Sequence, residues 1–443
     1  MNEMVSNTEK LLHVMTFGCQ MNEHDSERIA GVMGLEGYTC TGDVEKADLI
    51  IVNTCSVRDK AEHKFYSELG RLRKYKKAKP DLLIGVAGCI AQQEGEKIIR
   101  RAPYVDLVFG TSNILNLPAM VKRRVEHHVR VTEVDFDREY NMLDLPADRG
   151  DGLKAWVSIM YGCDNFCSYC VVPFTRGREM SRPSASIHEE ISRLAADGYK
   201  EVTLLGQNVN SYGKGLEEGV DFPALLRLIH DIDGIERIRF VTSHPKDLSD
   251  RLIEAMAELP KLCEGLHLPM QSGSDGVLSR MRRGYTFAEY YDKVKRMRQA
   301  VPDLYLTSDI IVGFPGETDE DFRATVRALE MAEFDSIFLF QYSPRPDTQA
   351  GTLPEQLADD VKAERFNIVM DLQQKMTLKK NSFRVGMVQE IMVEGASKKG
   401  SELMNGRNRG GAIVNFEGEC RRGELVNVLI TEGLGYCLKG KIT

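Results

Sequence analysis

Long apolar runs are missing from this 443-residue chain. The longest, residues 82–87 and 337–340, fall far short of a bilayer span, so no membrane-crossing helix is expected. Residues 1–10 have neither the basic start nor the apolar stretch of a secretory signal, which points to the cytoplasm. Internal repeats and low-complexity tracts are lacking too, which argues against a solenoid or a disordered chain. So is overall positive charge: at −8, the chain as a whole offers no attraction for nucleic acid. Local composition differs. Residues 378–443 hold 11 Lys and Arg against 7 Asp and Glu, and Arg71, Arg73, Lys74, Lys76, Lys77 and Lys79 form a basic stretch. Solvated helix faces account for most such clusters.

What is present describes a globular protein of two or three domains, with 42% apolar and 28% charged residues over a length too great for one core. Residues 1–145 alternate strand-like segments at 11–17, 49–53, 82–87 and 105–109 with helix-like ones at 25–34, 58–77 and 92–101. That is the pattern of a mostly parallel sheet with crossover connections. Residues 144–151 read as a polar linker. A second alternation follows, with strands expected at 155–159, 201–205, 237–241, 265–268, 305–312 and 336–341. Helices are expected at 187–196, 222–232, 249–258, 287–300 and 319–331. Six strands suit a partial (βα) barrel and not a full one of eight. After a long polar helix over 358–381, short segments at 387–394, 412–415 and 425–430 predict a small all-β module. The expected fold class is multidomain α/β with a β-rich C-terminal module.

Ten cysteines need a reason other than disulfides where thiols are kept reduced. Cys163, Cys167 and Cys170 form a C-x3-C-x2-C motif just after the first barrel strand. Three thiolates hold three irons of a [4Fe–4S] cube and leave the fourth iron open. S-adenosylmethionine (SAM) can chelate that iron through its amino and carboxylate groups, and an electron from the cluster then yields a 5′-deoxyadenosyl radical. A structural zinc knot is the competing reading. It needs a fourth ligand, and residues 155–186 contain no further Cys or His. Cys19, Cys55 and Cys89 each follow an expected parallel strand where a helix begins. Ligand sites of open α/β sheets gather outside those strand ends, so the three are expected to converge on a second cluster with its own open iron. Inert buried thiols would instead be scattered through strand interiors. Cys40, Cys263, Cys420 and Cys437 share no register with these six and are expected to be structural.

A series of motifs runs through nearly the whole chain: TFGCQMN at 16–22, NTCSVR at 53–58, GCIAQ at 88–92, the cysteine motif with VVPFTRG at 163–177, and SRP at 181–183. LGQNVN at 205–210, TSHP at 242–245, HLPMQSGS at 267–274, DIIVGFPGET at 309–318 and YSPRP at 342–346 follow in order. Together they resemble the methylthiotransferases, and among these the tRNA-2-methylthio-N6-isopentenyladenosine synthases, the MiaB family. The resemblance implies an N-terminal cluster-binding α/β domain over 1–147, a radical-SAM partial (βα)6 barrel over 148–377 and an RNA-gripping all-β TRAM module over 378–443. It implies that carbon 2 of N6-isopentenyladenosine at tRNA position 37 receives a methylthio group. One SAM would methylate a sulfur at the open iron of the Cys19, Cys55 and Cys89 cluster, and another on the Cys163, Cys167 and Cys170 cluster would give the radical. The anticodon stem-loop suits this reaction, because its target base leaves the stack cheaply. Further implied partners are an electron donor such as flavodoxin or ferredoxin and a sulfur or cluster donor, with the enzyme a monomer and no membrane involved.

In the same reading Tyr169 lies against the SAM adenine, with core packing as the alternative. Gln207, Asn208, Ser243, Gln271 and Asp309, at the carboxyl ends of barrel strands, contact SAM or substrate, and are otherwise ordinary turn residues. Lys398, Lys399, Arg407, Arg409, Arg421 and Arg422 would hold tRNA phosphates, or else be solvated charges. One departure is Asp347, in a loop where the family pattern expects Gly. Two other substrates stay open, threonylcarbamoyl-adenosine in tRNA and an aspartate of a ribosomal protein. A different class of reading is a non-catalytic iron–sulfur sensor or RNA-binding regulator.

Overall fold

The computed structural model describes residues 10–55, 59–136, 146–397 and 403–443. They form two compact units. The first runs to residue 151 and adds 156–164 and 171–186; the second comprises 152–155, 165–170 and 187–443.

The first unit is built on a six-stranded parallel sheet of β1 (Lys10–Phe17), β2 (Tyr38–Cys40), β3 (Leu49–Thr54), β4 (Leu83–Gly88), β5 (Leu107–Phe109) and β6 (Val131–Glu133), in the order β2-β1-β3-β4-β5-β6. Strands β3 and β4 are buried along their whole length, and their sequences LIIVNT and LIGVAG show the unbroken apolar character of strands covered on both faces. One face packs Leu49, Ile51 and Phe109 on Ile29, Met33 and Met120, from α1 (Gln20–Gly34) and from the helix Leu117–His127. The other packs Ile50, Val52 and Val86 on Phe65 and Leu69 of α2 (Asp59–Ala78) and on Ile98. The helix expected over 92–101 is two, α3 (Cys89–Glu94) and α4 (Glu96–Arg101), because Gly95 between them adopts φ +50°. Helix α5 (Leu117–His127), with Pro118 in its first turn, has weak apolar periodicity and was not foreseen. The strand β7 (Lys154–Ser158) precedes an antiparallel pair of this unit, β8 (Met160–Tyr161) and β9 (Met180–Ser181), which brackets the short helix α6 (Val172–Thr175).

The second unit holds the remaining βα alternation. Helix α7 (Ser184–Ala196) leads to β10 (Glu201–Leu205), α8 (Phe222–His230), β11 (Arg237–Phe240), α9 (Asp250–Glu258), β12 (Gly265–His267), α10 (Asp275–Arg280), α11 (Phe287–Ala300), β13 (Tyr305–Val312), α12 (Asp319–Ala332) and β14 (Ser336–Gln341). The strands lie within a residue or two of their expected places. They form parallel ladders, β10 with β11 and β12-β13-β14, and a single bridge from Ile238 to Leu262 joins the region between. The Leu153 carbonyl accepts from the Lys200 N–H at 2.8 Å, so the chain entering β7 lies beside β10.

Helix α13 (Asp359–Phe383) leads to a closed five-stranded barrel of β15 (Val388–Ala396), β16 (Met404–Asn408), β17 (Ile413–Glu417), β18 (Leu425–Gly433) and β19 (Leu438–Ile442), in the order β15-β16-β17-β19-β18. Strands β16 and β19 were not foreseen: MNGRN and LKGKI carry too few apolar residues to signal strands, and their pairing comes from barrel closure. The barrel is stitched to the (βα) part by arginines. Fully buried Arg237 bonds the Arg407 carbonyl and the Glu390 carboxylate, each at 2.8 Å, and Arg239 bonds the carbonyls of Asn408 and Arg409.

Candidate functional site

Strands β1, β3 and β4 are neighbours, and their last residues are in register: Phe17 opposite Thr54, and Thr54 opposite Gly88. Cys19, Cys55 and Cys89 follow at once, so the sheet brings together three thiols from distant parts of the chain. Two buried asparagines hold the turns. Asn22 accepts from the Cys19 N–H at 3.4 Å, while Asn53 donates to the Asn22 carbonyl at 2.8 Å and to Ser26 Oγ at 2.9 Å. Two glycines make room. A Cβ on Gly18 would stand 2.5 Å from the Cβ of Cys55, and one on Gly88, at φ +89°, would stand 2.5 Å from the Thr54 carbonyl oxygen.

The thiols act on one another. A hydrogen bond with Cys55 brings Cys19 down to about 6, against the opposing effect of burial, and the Arg176 guanidinium helps. The same bond and the same arginine bring Cys89 down to about 7. Cys55 is pushed up in turn, by those bonds to Cys19 and Cys89 and by burial. Arg176 is itself buried and paired with Asp25 at 2.7 Å. Among the described residues no three His, Cys, Asp or Glu side chains enclose a point as they would a single ion. A cubic cluster does not ask for that, since each thiolate binds a different iron. The donor set fits it: three thiols at three strand ends, two of them inclined to ionise at neutral pH.

The second cysteine motif is divided between the units. Cys163 belongs to the first, where its N–H donates to the Gly177 carbonyl at 3.2 Å. Cys167 and Cys170 belong to the second. There Ser168 is fastened by its N–H to the Met281 carbonyl at 3.1 Å, by its hydroxyl to the Arg280 carbonyl at 2.8 Å, and by its own carbonyl to the Ala350 N–H at 2.8 Å. Arg283, buried, donates from Nη1 to Cys167 Sγ at 3.3 Å. Tyr169 packs on the apolar group of Val277, Met281, Phe314, Tyr342 and Ala350.

Around the carboxyl ends of β10, β11 and β12 the second unit buries polar atoms that have no protein partner. They are both amide atoms of Gln207, Oδ1 of Asn208 and of Asn210, Ser243 Oγ, His244 Nε2 and Gln271 Oε1. Burying so many unpaired polar atoms is costly in a core, which marks this region as a candidate site for a polar ligand. His244 is neutral, with burial and then Arg283 holding it down to about 2, and its Nδ1 accepts from the Lys246 N–H at 3.2 Å. The proton therefore sits on Nε2, a donor facing the same region. Thr242 and Gln271 adopt φ +68° and +70°, conformations that are costly for non-glycine residues. Asp309 adjoins this group, its carbonyl accepting from the Gln271 N–H at 2.8 Å, while its half-buried carboxylate lies 3.5 Å from His267 Nε2. Of the expected contacts, Gln207, Asn208, Ser243 and Gln271 carry such atoms, and Asp309 is bonded to Gln271; Asn210, His244, Arg283 and Arg176 were missed, although all but Arg283 sit inside quoted motifs.

The expected phosphate-binding residues divide. Arg409 is committed within the protein: it pairs with Glu264 at 2.8 Å and donates to the Pro260 and Leu262 carbonyls. Arg407 bonds the Gly411 carbonyl at 3.0 Å and Glu394 at 3.2 Å. Arg421 and Arg422 are exposed, though Arg422 also donates to the Glu394 carbonyl at 3.2 Å, and Lys398 and Lys399 lie outside the described residues.

Residues 11–110 match the family described as uncharacterized protein family UPF0004, residues 157–329 the radical SAM superfamily, and residues 382–443 the TRAM domain. A tRNA-2-methylthio-N(6)-dimethylallyladenosine synthase of Geobacter metallireducens is 53% identical over 98% of both chains. One of Pelotomaculum thermopropionicum is 48% identical over 95% of both. The chain belongs to the tRNA-2-methylthio-N(6)-dimethylallyladenosine synthase family. Among solved structures, the radical SAM methyltransferase TsrM of Kitasatospora setae superposes with a TM-score of 0.57 at 15% identity, covering 86% of this chain and 78% of that one. The cobalamin-dependent SAM radical enzyme OxsB gives 0.54 at 11% identity, over 83% and 56%. At such identities these two show the fold alone. No helix of the described residues is long and apolar enough to cross a membrane.

Proposed function

We propose that this member of the family converts N6-isopentenyladenosine at tRNA position 37 to its 2-methylthio derivative. Cys163, Cys167 and Cys170 would hold one [4Fe–4S] cluster, and Cys19, Cys55 and Cys89 a second. When bound, the first supplies one-electron cleavage of SAM, and the second an iron at which sulfur is carried. The observation that carries this reading is the pair of cysteine trios, each three ligands and not four, so that each leaves one iron open. Two SAM molecules per product are part of the proposal. So are the three domains 1–147, 148–377 and 378–443, which the separate family matches support.

The chain's own residues then have definable tasks. Asn22 and Asn53 hold the turns beside Cys19 and Cys55 so that three strand ends present sulfur to one region. Gln207, Asn208, Ser243, His244 and Gln271 offer buried donors and acceptors for the amino, carboxylate and hydroxyl groups of SAM or for the nucleotide. Tyr169 supports the cysteine loop by packing, which favours that role over contact with the SAM adenine. Asp309, beside His267, is assigned to the substrate side. Exposed Arg421 and Arg422 suit the phosphates of an anticodon stem-loop. A flavodoxin or ferredoxin as electron donor, a separate sulfur or cluster donor, a monomeric state and a cytoplasmic location complete the proposal; tRNA itself supports the last.

The test is anaerobic incubation of the reconstituted enzyme with isopentenylated tRNA, SAM, a sulfur source and dithionite, followed by mass spectrometry of the nucleosides. The 2-methylthio-isopentenyl nucleoside is expected. Methylthio product only on threonylcarbamoyl-adenosine or on a ribosomal protein would contradict the substrate assignment.

A further inference from the structure

Each cysteine group has a buried arginine beside it, but the two are balanced differently. Arg176, near Cys19 and Cys89, is paired with Asp25 at 2.7 Å, so its charge is already neutralised. Arg283 has no carboxylate partner among the described residues. Its Nη1 donates to Cys167 Sγ at 3.3 Å, its Nη2 to the Pro269 carbonyl at 3.0 Å and its Nε to Tyr285 Oη at 3.0 Å. A guanidinium only 4% exposed is costly to bury without an anion. Of the groups in hydrogen-bond contact with it among the described residues, two are a carbonyl and a phenol, and the third is the Cys167 sulfur, which would bind iron as a thiolate. The cation is also held rigidly: Tyr285 is tied to the Pro269 and Met270 carbonyls, and Ser168 anchors the cysteine loop to the turn just before Arg283.

We infer that Arg283 is a positioning residue and the counter-ion of the cluster held by Cys163, Cys167 and Cys170, and that it makes this cluster easier to reduce. The inference rests on the cluster assignment proposed above. In the step concerned, one electron arrives from a low-potential donor, no bond forms or breaks and no proton moves. The added negative charge falls beside a fixed cation in a poorly solvated site, where their attraction is weakly screened. Hydrogen bonds to cluster sulfurs and the local net charge are the levers by which a protein sets such a potential. At the other trio the arginine is shared with Asp25, so its bias is weaker.

The test uses the full chain carrying C19A, C55A and C89A, so that a single cluster reports. It is reconstituted anaerobically and titrated with dithionite, with the reduced cluster followed by EPR. R283Q is expected to keep its iron and shift the midpoint potential to a more negative value, and R283K to recover part of the shift. A potential unchanged in R283Q at equal iron content would overturn the role of Arg283 alone. A parent protein that takes up no iron overturns the cluster assignment, and this inference with it. Should R283Q itself fail to load, the parent labelled with 15N-arginine decides the matter. Pulsed EPR is expected to show 15N coupling to the reduced cluster, and its absence overturns the inference.

Discussion

Asp347 shows how a single residue can depart from a family pattern and still explain it. Pro346 and Asp347 occupy the centre of a turn closed from the Thr348 N–H to the Arg345 carbonyl at 3.4 Å, and Asp347 adopts φ +63°. Pro followed by a residue of positive φ is the type II pattern, in which Gly is favoured at the second place. Asp tolerates that conformation better than most residues, which accounts for its survival there. D347G is expected to raise stability by about 0.5–1 kcal/mol, read as a higher melting temperature with SAM cleavage unchanged. Gly88 makes the opposite case. A Cβ there would press on the Thr54 carbonyl at a positive φ, so G88A is expected to cost roughly 2 kcal/mol and to strip the iron bound by Cys19, Cys55 and Cys89, leaving the iron on Cys163, Cys167 and Cys170 in place. Metal analysis checks this. At this scale the placement of Cys19, Cys55 and Cys89 at three neighbouring strand ends was legible, because strand ends are local signals. Arg283 was not: it lies more than a hundred residues from Cys167, and nothing in its own neighbourhood marks it as a sulfur's partner.

Elements followed a similar rule. The long parallel strands were readable because apolar runs such as LIIVNT need no partner to be recognised. Helix α1 begins at Gln20, five residues before its periodicity suggests, because Cys19 stands at the N-cap and Asn22 returns to its N–H. Short strands β2, β6, β16 and β19 were invisible, since only their neighbours make them strands. The β-barrel's arginines illustrate the same limit: composition marks them as basic but not which are spent inside the protein. R409A breaks contacts to Glu264, Pro260 and Leu262, and is expected to lower the melting temperature by the equivalent of about 2 kcal/mol. The exposed R421A is expected to leave stability alone and to reduce the salt dependence of tRNA binding by about one counterion. Equal effects of the two variants on binding, with no loss of stability in R409A, would contradict that division.

For the whole molecule, SAM cleavage and sulfur delivery fall to different cysteine trios in the proposed reaction. C163A is therefore expected to form no 5′-deoxyadenosine with dithionite, whereas C55A keeps part of that activity and forms no methylthio product. The two-unit division of the chain was not legible in the sequence, because residues 156–164 and 171–186 join the first unit through contacts and not through composition. The claim on which everything else depends is that the chain holds two cubic clusters, each on three cysteines. Mössbauer spectroscopy with iron and sulfide analysis of the anaerobically reconstituted chain tests it most directly. Two [4Fe–4S] clusters, about eight irons per chain, are predicted, falling to one cluster in the C19A, C55A, C89A variant. A single cluster in the unsubstituted protein, or zinc in place of iron, would contradict the account.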